Sequence, residues 1–180
     1  MTADREGNMT ALCTSLSDTF GSVVYVPDAG FFMNNGMGNF DPRPGHANSI
    51  APGKMPIFAA PAMIATRDGR AVFAASGSGG YRIATGVLHA LIGVVDFGLG
   101  VQEAIDAPRV HCQGSETFVD PRISLQVRER LAQIGHVIVV EDERLVPNPT
   151  AFGRVSALVA QDGVFRSGAN PPYTTGAAAP

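Results

Sequence analysis

Residues 74–98 read AASGSGGYRIATGVLHALIGVVDFG, and the rest of the chain can be placed around them. Val72 and Phe73 lead in and, with Ala74, have the character of the end of a buried strand. A glycine turn is expected next, at Gly77-Ser78-Gly79-Gly80. Ile83, Val87, Leu88, Leu91, Ile92 and Val95 then recur at intervals of three and four, which predicts a helix with one buried face. A glycine turn between strand and helix leaves backbone N–H groups without intrahelical partners. With no Cβ at Gly79 or Gly80, a substrate oxygen can come close to those donors, and the helix dipole favours negative charge there. A phosphate cradle or an oxyanion hole fits this description. So does a plain tight turn, and residue types alone leave the two open. No Lys-Ser/Thr pair follows the glycines and the third glycine of a dinucleotide fingerprint is missing, so the oxyanion hole is the better functional candidate.

At 180 residues the chain is long enough for one domain or a large piece of one. A net charge of −3 and a charged fraction of 16% give no basic face for nucleic acid and no polybasic run for a membrane surface. With 21 Gly and 13 Pro, the composition fits a loop-rich α/β or α+β protein. The apolar run at 87–101 is broken by His89, Asp96 and glycines, which argues against a membrane span. Nothing in the sequence marks the compartment as cytoplasmic or periplasmic. Cys13 and Cys112 make neither a disulfide framework nor a metal spacing, and Cys13 is expected as a buried free thiol in an apolar strand. His46, His89, His111 and His136 are scattered, with no His-x-x-x-His or Cys-x-x-Cys, so neither a metal nor a cofactor is expected. No nucleophile elbow is found either, which leaves an oxyanion turn without an evident nucleophile.

Along the chain, residues 9–15 are expected as a strand, 23–26 as a short strand and 31–33 as a third apolar segment. The stretch 34–54, NNGMGNFDPRPGHANSIAPGK, has no periodicity. Its amides suit a polar ligand, and equally suit capping of turn backbones. Residues 60–66 and 70–75 predict a hairpin across Arg67-Asp68-Gly69. A helix at 101–107 is ended by Pro108, with short strands at 110–113 and 116–119. An amphipathic helix at 123–134 is expected to bury Leu125, Val127, Leu131 and Ile134, followed by a strand at 136–140. Residues 155–160 and 163–167 predict a last hairpin, and 171–180 an irregular tail. Strand pairs in blocks with helices suggest α+β layers rather than a βαβ wind.

Several motifs now fall into one order: 3–8 (ADREGN) before a hydroxyl-rich strand, 19–22 (TFGS), 31–45 (FFMNNGMGNFDPRPG), 51–56 (APGKMP), 76–83 (SGSGGYRI) and 94–111 (VVDFGLGVQEAIDAPRVH). Together they resemble the small subunit of gamma-glutamyltranspeptidases over nearly the whole chain. The resemblance implies the αββα sandwich of the N-terminal-nucleophile hydrolases, present in part. Residues 1–180 would be the small-subunit portion of a single domain of that type, lacking the nucleophile segment. It also implies hydrolase or acyltransferase chemistry of the kind used in glutathione metabolism. A precursor cleaves itself to free a threonine, whose hydroxyl attacks an amide while its own α-amine serves as base.

On this resemblance Gly79 and Gly80 supply the oxyanion-hole N–H groups, and Ser15 is the second hydroxyl that supports the nucleophile. Ser17 falls where the family has an Asn for the substrate's amino group. Asn39 stands where the family has an acid for that amine, and Gly36 at its neighbouring amide or acid. Phe58 and Ala59 replace a serine pair that binds a carboxylate. The nucleophile itself aligns a few residues before Met1, so a large-subunit segment, in the same precursor or a separate chain, is the implied partner. An enzyme acting on a different small amide, like the oxamate-amidohydrolase branch, is one alternative. A non-catalytic remnant or binding module keeping the fold is the other. Thr2 is two residues before Asp4 and by register is too far down the strand to be the nucleophile.

Overall fold

Phe73, Ala74 and Ala75 are almost fully excluded from solvent, and they mark the strand on which the larger part of the chain is built. The computed structural model describes residues 1–142 and 152–170, so the tail expected at 171–180 lies outside the described residues. The chain divides into a unit made of Met1–Cys13 with Ala59–Pro180, and a unit Thr14–Phe58.

In the first unit, β1 (Thr2–Ala3) and β2 (Met9–Thr10) pair antiparallel around a turn. The Asp4 carboxylate accepts the N–H groups of Glu6 and Asn8 there, each at 2.9 Å. The main sheet is separate from this pair and holds β5 (Met63–Arg67), β6 (Arg70–Ser78), β10 (Arg154–Gln161) and β11 (Val164–Ala169), in the order β11-β10-β6-β5, all antiparallel. Two turns set its register. Asp68-Gly69 and Asp162-Gly163 both hold positive φ, the conformation that matches the strand twist in a two-residue hairpin. β10 alternates buried and half-buried residues, so Val155, Ala157 and Val159 point into the core. β6 is buried without alternation from Phe73 to Ser76, as a central strand covered on both faces should be.

Two helices close the core. α1 (Arg82–Val95) contributes Ile83, Val87 and Ala90, and α2 (Val101–Asp106) contributes Val101 and Ile105. They approach closely because Gly93 faces Ala104: a Cβ on Gly93 would stand 2.8 Å from the Ala104 methyl. Gln102 ties α2 to the end of β11. Its amide donates to the Ala169 carbonyl and accepts the Ala169 N–H, both at 3.0 Å.

A second sheet holds β7 (Val110–Cys112), β8 (Glu116–Val119) and β9 (Val137–Val140), with α3 (Leu125–Gln133) between the last two. β8 and β9 run parallel, so β8-α3-β9 is a βαβ unit. It stands beside the antiparallel sheet of an α+β chain, and pairing between strands this far apart in sequence leaves no local signature. The apolar side of α3 is corrected. Leu125, Val127 and Ile134 are exposed, and only Leu131 is half-buried.

In the second unit, β3 (Tyr25–Val26) and β4 (Phe31–Phe32) make a small hairpin. The strand expected at 23–26 begins only at Tyr25, because Val23 has φ +62, outside the β region and unusual for a β-branched residue. The strand expected at 9–15 is likewise limited to Met9–Thr10. Cys13 is consequently a half-buried free thiol outside any strand, with its sulfur 3.8 Å from the Gly77 carbonyl.

His89 gives the first prediction. It is half-buried on α1, and burial, then the positive charge of Arg109 and the nearby His111, lower its pKa from the ordinary 6.5. Above that pH both folded and unfolded chains hold His89 neutral, and nothing is lost. As the pH falls below it, the unfolded chain takes up the proton first and stability declines down through the lower folded pKa. His89→Gln is expected to flatten the fall in melting temperature between about pH 7 and pH 5. An unchanged slope would refute this.

Candidate functional site

The strand–turn–helix junction differs from its sequence reading in one respect. Gly77 and Ser78 continue β6, opposite Val155 and Arg154, and the turn is Gly79-Gly80-Tyr81. A Cβ on Gly77 would run into the Arg154 carbonyl, so this glycine serves close strand packing rather than the turn. Gly79 has φ +125, and a Cβ there would stand 2.9 Å from the Gly153 Cα. Gly80 has φ +64 with open space around it.

Among the described residues the N–H groups of Gly79 and Gly80 have no hydrogen-bond acceptor. They precede a 14-residue helix whose first turn carries no acid and whose N-cap, Tyr81, makes no side-chain cap. Two unsatisfied donors at the positive end of a helix can stabilise an oxygen that gains negative charge. The junction also holds a cation, because the Arg82 guanidinium lies 5.8 Å from the centre of the Phe118 ring.

Behind the turn runs the segment Phe152, Gly153 and Arg154. Gly153 has φ +66 and presses on the first turn of α1, so that a Cβ there would meet the Arg82 carbonyl at 2.9 Å. A buried cation, Arg109, fixes this segment from the far side. Its Nη1 donates to the carbonyls of Phe152 (3.1 Å) and Gly153 (3.0 Å), and its Nη2 to those of Ile105 and the Asn170 side chain (both 3.1 Å). Arg109 was not singled out by the sequence reading. The available signal was a charged residue between Pro108 and the apolar strand that begins at Val110. Nearby, Asp120 is buried, which by itself would raise its pKa. Bonds from Arg122, at 2.6 Å and 3.0 Å, outweigh the burial and hold the carboxyl below its ordinary value.

The other expected site residues belong to the second unit. Ser15 and Ser17 are exposed, and the Ser15 Oγ accepts the Ser17 N–H at 2.9 Å. Ser17 holds φ +70, which is uncommon for a non-glycine residue. This bend is brought against the Asn-rich stretch: the Leu16 carbonyl accepts the Asn35 N–H at 2.8 Å, and the Asn35 amide donates to Asp18 at 2.8 Å.

Gly36 and Asn39 open and close a 3₁₀ helix, Gly36–Asn39. The Gly36 N–H donates to the Asn34 side chain (2.8 Å), the Asn39 amide reaches the Gly36 carbonyl (3.4 Å), and Asn48 donates to the Asn39 carbonyl (2.7 Å). Several of these amides therefore satisfy turn backbones, the plainer of the two uses expected of them. Phe58 falls in the second unit and Ala59 in the first.

The gamma-glutamyltranspeptidase profile matches residues 1–180. The acylase ACY 1 proenzyme of Pseudomonas sp. (strain SE83) is 37% identical over 137 residues, which is 76% of this chain and 25% of that protein. The glutathione hydrolase proenzyme of Bacillus subtilis subsp. natto is 28% identical over 91% of this chain and 27% of its own length. The chain thus spans about a quarter of the curated relatives it matches. Among solved structures, the T380A mutant of Helicobacter pylori gamma-glutamyltranspeptidase superposes with a TM-score of 0.80 at 27% identity, covering 94% of this chain and 96% of that one. An α+β chain with this turn and this match along its whole length belongs to the gamma-glutamyltranspeptidase family.

Proposed function

We propose that the chain is the small-subunit portion of an amide hydrolase or acyltransferase that works through an acyl-threonine intermediate, in an αββα fold completed by a large-subunit segment. The observation that carries this reading is the pair of unbonded N–H groups at Gly79 and Gly80. The threonine is supplied from outside the 180 residues. Its α-amine takes the hydroxyl proton, the oxygen attacks the amide carbonyl, and the Gly79 and Gly80 donors receive the charge that forms on the carbonyl oxygen. Collapse of the adduct expels the amine, which takes the proton. Water or an acceptor amine then releases the acyl group by the same steps in reverse order. Ser15 supports the nucleophile, and Ser17, Gly36 and Asn39 contact the acyl group.

The substrate class follows from what those positions lack. Asn39 is neutral, Gly36 has no side chain, and Phe58 and Ala59 offer no hydroxyl, so a zwitterionic glutamyl group would lose partners at both ends. Leaving a charged group unpaired costs about 2–5 kcal/mol. The acyl group is smaller or less polar than glutamyl.

The test compares butyryl-p-nitroanilide with gamma-glutamyl-p-nitroanilide, which share a leaving group, on the chain assembled with its nucleophile segment. The kcat/KM ratio is expected to favour butyryl by about tenfold or more, equivalent to about 1.4 kcal/mol. A tenfold preference for the glutamyl compound would assign ordinary glutamyl transfer instead.

A further inference from the structure

We infer that Arg109 is a positioning residue for the oxyanion turn, acting through Phe152 and Gly153; the inference rests on Gly79 and Gly80 being the oxyanion donors. Arg109 is 6% exposed. It sits beyond the end of α2 and reaches three carbonyls on two separate stretches of chain, with the Asn170 amide oxygen as a further acceptor. That oxygen also accepts the Val155 N–H at 2.8 Å, so the fork of the guanidinium is continuous with the first residues of β10. Gly86 lets the group in: a Cβ on that residue would lie 3.0 Å from the Phe152 carbonyl and 3.2 Å from Arg109 Nη1.

The held segment is the wall against which the turn is formed. Gly153 occupies the space where a Gly79 side chain would go, and lies against the Arg82 carbonyl and Ile83 nitrogen where α1 begins. The two backbones run side by side with no room for a side chain between them, so a shift of Phe152 and Gly153 alters the wall against which the Gly79 peptide is set. Donors of this kind act only when aligned with the developing oxyanion, and a displacement of about 1 Å can cost about a hundredfold in rate. Lysine cannot replace arginine here. Its ammonium is a point charge and cannot reach acceptors on both sides of a planar fork.

The experiment measures kcat and KM of Arg109→Lys in the assembled enzyme, with far-ultraviolet circular dichroism and a melt as checks on folding. The kcat is expected to fall about tenfold to a hundredfold with KM changed less than about threefold, since acyl recognition is assigned to other residues. In Arg109→Ala, millimolar guanidinium chloride is expected to restore part of the lost kcat. If Arg109→Lys does not fold, Asn170→Ser shortens the same bridge and is expected to lower kcat about threefold to tenfold with KM kept.

A folded variant with unchanged kcat, or a loss confined to KM, overturns the inference. Gly79→Ala run alongside separates the two ideas. If Gly79→Ala is inactive while Arg109→Lys keeps its kcat, the role of Arg109 alone is wrong. If Gly79→Ala is fully active, the oxyanion assignment itself fails.

Discussion

Gly79→Ala is expected to cost the assembled enzyme most of its activity and the chain much of its stability, whereas Gly80→Ala is expected to be mild in both. The two glycines are neighbours with different surroundings. Gly79 combines φ +125 with a wall 2.9 Å away, and that wall is backbone, the Gly153 Cα. Forcing a side chain into such a conformation costs about 1–3 kcal/mol, and overpacking against atoms that cannot rotate away adds about as much again. The strain is relieved by moving the turn, which misaligns its N–H, and loss of one oxyanion donor lowers kcat about a hundredfold to a thousandfold. Gly80, at φ +64 with nothing within reach of its Cβ, meets only the left-handed penalty of about 1–2 kcal/mol. Melts of the two variants and kcat on one amide substrate check both halves. Equal effects of the two substitutions would contradict the geometry.

The second large effect concerns the nucleophile. The 180-residue chain alone is expected to show no turnover of an activated amide above an empty-vector control. Joined to a segment that carries the threonine, it is expected to turn over. The reason is chemical: donors for an oxyanion stabilise a tetrahedral adduct, and without a hydroxyl paired with a base no adduct forms. Thr2, the hydroxyl residue nearest the N-terminus of this chain, is an exposed strand residue paired with Thr10 in β1 and β2. Activity of the chain alone that disappears in Thr2→Ala would refute this assignment.

Local chemistry made part of the fold legible. Arg67-Asp68-Gly69 marked its hairpin because only a short list of residues takes two successive positive φ values, whereas the last turn, expected at residues 161–162, lies one residue later at Asp162-Gly163. The periodicity from Ile83 to Val95 marked α1, but of the residues expected on its buried face only Ile83 and Val87 are buried, Leu91 and Ile92 are half-buried, and Leu88 and Val95 are exposed. What failed depended on distant residues. Gly77 looked like part of a turn, but its reason for being glycine is the Arg154 carbonyl, far along the chain. The exposed apolar side of α3 shows that periodicity announces a face without saying what covers it.

Within the site, Gly79 and Gly80 were legible as a donor pair from a strand, two glycines and a helix. Arg109 was not, since the partners through which it holds the turn's wall are backbone carbonyls and a side-chain amide, groups that carry no sequence signal. Ser15, Ser17, Gly36 and Asn39 came from the family resemblance alone. The structure adds their local bonding, with Ser15 bonded to Ser17 and Gly36 to Asn39.

The central claim is that this chain supplies the oxyanion site for a threonine nucleophile outside it. Peptide mass spectrometry of the assembled enzyme, quenched in acid during turnover of a p-nitroanilide, tests it most directly. The account predicts the acyl group on a threonine hydroxyl outside residues 1–180, with less adduct trapped in Gly79→Ala. An acyl group found instead on Thr2, Ser15 or Cys13 would contradict it.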